Sequence, residues 1–71
     1  MPKSVRAEMV ASVMSIEVVV GTIVSSGETL VILESMKMEI PVLAEVGGQV
    51  VDIAVAPGDV VNEGDLLVQL A

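Results

Sequence analysis

The chain has 71 residues, ten of them acidic and three basic, for a formal charge of −7, and it contains no Cys, His or aromatic residue. Phosphate backbones are bound by clustered Lys and Arg, so this balance excludes a nucleic-acid binder. It disfavours anionic membrane surfaces and suits basic protein partners. The missing His and Cys remove the commonest general base, the commonest metal ligand and the thiolate nucleophile, which argues against an enzyme.

A chain of this length is expected to form a single domain over residues 1–71. Without disulfide or metal staples, its stability has to come from aliphatic packing, and 54% of the residues are hydrophobic. Despite a mean hydropathy of +0.87, no apolar run approaches the roughly 18 residues of a spanning helix. The N-terminal stretch Met1-Pro2-Lys3-Ser4-Val5-Arg6-Ala7-Glu8 lacks the apolar centre of a signal peptide. No membrane partner and a cytoplasmic location are expected.

In chain order, Met14, Ile16 and Val18 alternate with Ser15 and Glu17. This period of two predicts a strand with those three apolar residues facing inward. Gly21 and Gly27 mark turns around Thr22-Ile23-Val24, and Leu30 to Leu33 reads as the next strand. A third run, Ile40 to Leu43, contains Pro41, which cannot donate to a ladder and so belongs at a sheet edge. In the second half, Val51, Ile53 and Val55 alternate with Asp52 and Ala54. No helix of useful length is signalled.

A shift of 37 residues lays the chain over itself. Gly21, Val24, Gly27, Leu30, Val31 and Leu33 meet Gly58, Val61, Gly64, Leu67, Val68 and Leu70. Two repeats are too few for a solenoid, so the pattern predicts halves of about 5–34 and 42–71 related by a pseudo-two-fold axis. Gln69 falls over Ile32, which places that register outside and Val31, Leu33, Val68 and Leu70 in the core. The fold class is all-β, a flattened barrel or sandwich of two antiparallel sheets. The acidic segment Asn62-Glu63-Gly64-Asp65 lacks calcium-loop spacing, and its twin Ser25-Ser26-Gly27-Glu28 marks both as turns.

Between the halves lies Glu34-Ser35-Met36-Lys37-Met38-Glu39, within an expected hairpin at residues 34–40. Tight hairpin turns favour Gly, Asn or Asp because they need positive φ, and this segment has no Gly, Asn or Pro. Such a breach of local rules tends to mark a functional or strained site. Ordinary readings exist for each residue. Lys37 could be a solvated turn charge paired with Glu34 or Glu39, and Met36 and Met38 could fill gaps in the core. The joint pattern fits better with an accessible lysine read by another protein. Two methionines spaced by one residue on a strand would share a side and leave Lys37 on the other.

The segment Met36-Lys37-Met38, centred in a duplicated β domain, resembles the attachment motif of biotin carboxyl carrier domains, notably small biotinylated proteins of actinobacteria. The repeated Gly-x-x-Val-x-x-Gly-Asp/Glu pattern is similar to the biotinyl/lipoyl carrier fold, a barrel-sandwich hybrid. The likeness runs from about Val5 to Leu70. It implies that Lys37 carries biotin in an amide bond made by a biotin protein ligase from biotinyl-adenylate. It also implies that Met36 and Lys37 occupy the tip of the turn and that Met36 and Met38 are read by the ligase, with Glu34 a weaker contributor. The implied partners are a biotin carboxylase and a carboxyltransferase, between which the arm carries carboxyl. Many relatives begin with Pro-Met-Pro-Gly where this chain has Glu8-Met9-Val10-Ala11, and the chain has no residues to spare for the thumb loop of some carriers. The rival readings are a lipoyl carrier, whose tip is usually Asp-Lys-Ala, and an unmodified interaction module of the same fold.

Overall fold

A computed structural model describes residues 3–71. The strands are β1 (Lys3–Arg6), β2 (Ala11–Ile16), β3 (Ile23–Val24), β4 (Thr29–Ser35), β5 (Met38–Leu43), β6 (Gly48–Ile53), β7 (Val60–Val61) and β8 (Leu66–Leu70). They form two four-stranded sheets, ordered β1-β8-β6-β3 and β5-β4-β2-β7. Every pairing is antiparallel, and no helix forms among the described residues. The two sheets make an elongated body of 32 × 18 × 17 Å.

Each pairing has a twin displaced by the sequence repeat. Val13 opposite Leu33 recurs as Val50 opposite Leu70, and Val5 opposite Val68 recurs as Val42 opposite Val31. Ile23 opposite Gln49 recurs as Val60 opposite Ser12. The repeat exchanges the two sheets, and each sheet takes two strands from each half of the chain. The halves are therefore interlocked, and neither can complete a sheet by itself.

The core lies between the sheets. Leu30, Leu33, Leu67 and Leu70 are fully buried, with Val31, Val50, Val61 and Val68 beside them, and among the described residues no polar or charged one is buried. Burying a Leu or Val contributes about 1.5–3 kcal/mol, so this aliphatic set is the main source of stability. Leu30 and Leu67 are buried next to equally buried valines, contrary to simple alternation, because each is the extra residue of a β-bulge.

Bulges also correct the inward alternation predicted for Met14 and Val51. The register slips between Val13 and Ser15 and again between Val50 and Asp52. Met14 and Val51 are the extra residues, and they are 39% and 45% exposed. Val13 and Val50 occupy the core positions before the slip. Ile16, Val18, Ile53 and Val55 pack against the core after it, as the alternation predicts.

Two sets of turns close the barrel. Gly21 and Gly58 have φ of 100° and 95°, where a Cβ is strained. Each sends its N–H across to the other half, Gly21 to the Val50 carbonyl and Gly58 to the Val13 carbonyl. Asn62–Asp65 is likewise a turn, in which the Asn62 N–H donates to the Asp65 carboxylate at 2.8 Å. Pro41 sits in β5, an edge strand that among the described residues pairs with β4 alone, a place where a missing N–H is tolerated.

Candidate functional site

β4 and β5 are antiparallel neighbours, with Leu33 opposite Ile40, Glu34 opposite Glu39 and Ser35 opposite Met38. The inward Leu33 and the half-buried Ile40 anchor the hairpin in the core. Only Met36 and Lys37 remain to make the turn, which is therefore a two-residue loop. Their φ values are 53° and 65°, and they are the only described non-glycine residues with positive φ. Positive φ at both corners is the signature of a type I′ turn, whose hand matches the twist of the strands it joins. Holding residues with a Cβ in that region costs about 1–2 kcal/mol each. The turn geometry is what the strands demand, and the residues at its corners are ones that turn chemistry does not select.

The turn projects both side chains into solvent. Met36 is 92% exposed and Met38 65%, so neither fills the core. Nor do the two methionines share a strand face, because Met36 is a turn corner and Met38 is the first residue of β5. Lys37, at the second corner, is exposed. Among the described residues, none of the side-chain hydrogen bonds involves its ammonium. An unencumbered primary amine at an apolar tip can be acylated, and a bulky enzyme can reach it from several directions.

Glu34 is exposed on the outer face of the hairpin, two residue pairs below the turn. Sequence reasoning missed its partner. Glu39 lies directly opposite, so two carboxylates flank the tip with no cation between them among the described residues. Its signal is the loop length, which the residues of the turn do not announce: a two-residue loop at Met36 and Lys37 forces residues 34 and 39 into register. The same row continues through Ser12 of β2 to Val60 of β7.

This geometry belongs to a known class. Residues 3–70 match the family model described as "Biotin-requiring enzyme". The chain belongs to this family. It is 58% identical over 48 residues to the "Biotinylated protein TB7.3 homolog" of Mycobacterium leprae, covering 68% of each chain. A second protein of that name, from Mycolicibacterium smegmatis, is 61% identical over 44 residues, or 62% of each chain.

Solved structures agree. A segment of a single-chain, multi-domain long-chain acyl-CoA carboxylase superposes with a TM-score of 0.90 at 32% identity. The match covers 96% of this chain and 7% of that one. Kluyveromyces lactis urea carboxylase matches with a TM-score of 0.94 at 30% identity, covering 100% of this chain and 6% of that enzyme. The lipoyl domain of the 2-oxoglutarate dehydrogenase complex of Azotobacter vinelandii superposes less closely, with a TM-score of 0.75 at 32% identity over 87% of this chain and 78% of that domain. Family and neighbours make the chain a biotin carrier, with covalently held biotin as its cofactor. The lipoyl reading is the less favoured one. Among the described residues, no helix is long and apolar enough to cross a membrane.

Proposed function

We propose that residues 1–71 act as a biotin carboxyl carrier domain in which Lys37 is the attachment residue. The observation that carries this reading is the Met36-Lys37 turn. A strained two-residue loop holds a solvent-exposed lysine between two exposed methionines at the end of a rigid hairpin.

In the proposed modification, the Lys37 Nζ, as the free amine, attacks the acyl carbon of biotinyl-adenylate held by a biotin protein ligase. An amide bond forms, the mixed anhydride breaks, AMP leaves with its electron pair, and the amine proton passes to solvent. Met36 and Met38 are the apolar surface the ligase reads, and Glu34 adds a charge below it. Attached biotin supplies the carboxyl-carrying chemistry. The protein contributes position, since a tethered cofactor has a high effective concentration at each enzyme it reaches. The proposed partners are a biotin carboxylase and a carboxyltransferase in the cytoplasm.

The test uses biotinylated protein incubated with purified biotin carboxylase, ATP and labelled bicarbonate. Label should appear on the protein and be absent from Lys37→Ala material prepared in the same way. A biotinylated wild-type protein that takes no label would overturn the carrier role.

A further inference from the structure

The two halves share a backbone and differ sharply in surface. The stretch Val18–Gly27 contains no charged residue, whereas its twin Val55–Gly64 contains Asp59 and Glu63. At the turn, Val19 and Val20 replace Ala56 and Pro57. Both turns are closed alike: the Val19 N–H donates to Thr22 Oγ1 at 3.2 Å, and the Ala56 N–H donates to Asp59 Oδ2 at 2.9 Å. Pro is favoured at this turn position, so the fold has no use for Val20. Val19, Val20 and Ile23 are nevertheless 69%, 60% and 71% exposed.

β3 lays this stretch against a second uncharged one, Val46–Val51 of the β6 segment, through Ile23 opposite Gln49 and Val24 opposite Gly48. Val51, turned out by its bulge, widens the apolar surface. Both stretches end at carboxylates, the first at Glu17 and Glu28 and the second at Glu45 and Asp52, all four exposed. An apolar centre inside an acidic rim has the layout of a protein–protein contact. The patch also lies far from the lysine. β2 leaves the tip at Ser12, opposite Glu34, and reaches Ile16 opposite Val31. Val19 is three residues further on, roughly 20 Å from the turn at strand rise.

We infer that Val19, Val20 and Ile23 form a docking surface for a protein partner with an apolar depression ringed by Lys and Arg, borne by the carboxylase subunits that the arm serves. The acidic rim selects this occupant. A second copy of the chain would set carboxylates against carboxylates, and an anionic membrane would be repelled likewise. Docking at the far end holds the domain while Lys37 stays free to swing. The inference rests on the carrier reading of the tip.

The test transplants the second half's residues into the first, as Val19→Ala, Val20→Pro, Thr22→Asp and Ser26→Glu in one variant, with Ile23→Ser as a milder companion. The twin already tolerates those four residues, and circular dichroism checks folding. Both proteins are biotinylated, and their affinity for the organism's purified biotin carboxylase and carboxyltransferase subunits is measured. The transplant should bind about tenfold or more weakly, Ile23→Ser should fall between, and added salt should weaken the wild type. Biotin incorporation by the ligase should stay unchanged. Equal affinity for wild type and transplant overturns the surface and leaves the carrier reading standing. A wild-type dimer that the transplant dissolves overturns it in favour of self-association. A biotinylated wild type that neither binds these subunits nor accepts carboxyl overturns both.

Discussion

Glu34 and Glu39 stand directly opposite each other across the β4–β5 hairpin, two residue pairs below the Met36-Lys37 turn. Like charges directly opposite each other destabilise a sheet. Lys37 is the nearest cation in sequence, and the biotinylation proposed for it would remove its charge. Glu39→Gln should therefore raise the denaturant midpoint slightly at low ionic strength. The gain should vanish near 1 M salt, where the screening length is only about 3 Å. A gain that persists in high salt would show that the repulsion is not its source.

The turn is the second point of strain. Met36→Asn with Lys37→Gly supplies the residue pair that a type I′ turn prefers. This variant should be more stable than the wild type by about 1 kcal/mol or more, the cost of positive φ at a residue with a Cβ. In a domain of this size that corresponds to a rise of about 4–8 °C in melting temperature. A lower melting temperature would mean that the methionine contributes packing which its exposure does not reveal.

Recognition at the tip should be separable from stability. Met36→Asp with Met38→Ala gives a lipoyl-type tip on the same barrel. Ligase-catalysed biotin incorporation should be lost while the melting temperature stays nearly constant, because surface substitutions usually fall within about 0.5 kcal/mol. Unimpaired biotin incorporation would remove the methionines from the recognition element.

The core should respond symmetrically. Leu33 and Leu70 occupy twin positions and are both buried. Leu33→Ala and Leu70→Ala should each cost about 2–5 kcal/mol, with denaturant midpoints close to one another by far-UV circular dichroism. The bulge residues give the contrast. Met14→Ala and Val51→Ala should be near neutral, whereas Val13→Ala and Val50→Ala should destabilise clearly. Equal losses at Met14 and Val13 would contradict the register slip.

Much of this was legible in the sequence for a definite reason. The repeat exposed the pseudo-symmetry, and the aligned Leu33 and Leu70 identified the core. The hairpin stood out because Met36 and Lys37 occupy a place where turn chemistry predicts something else. Three features were not legible. A bulge adds one residue without any Gly or Pro to announce it, so Met14 and Val51 read as ordinary inward positions. The repeat showed that two halves exist but not that they exchange strands, because pairing between distant segments leaves no local mark. The pair of Glu34 and Glu39 became apparent only with the loop length, since register follows from the number of residues in the turn.

The central claim is that Lys37 is the attachment residue, and intact-mass measurement with peptide mapping tests it most directly. Protein coexpressed with a biotin ligase should gain the mass of one biotin, mapped to the peptide containing Lys37. Lys37→Ala material should gain none. An adduct on Lys3, or one that survives in Lys37→Ala, would contradict the account.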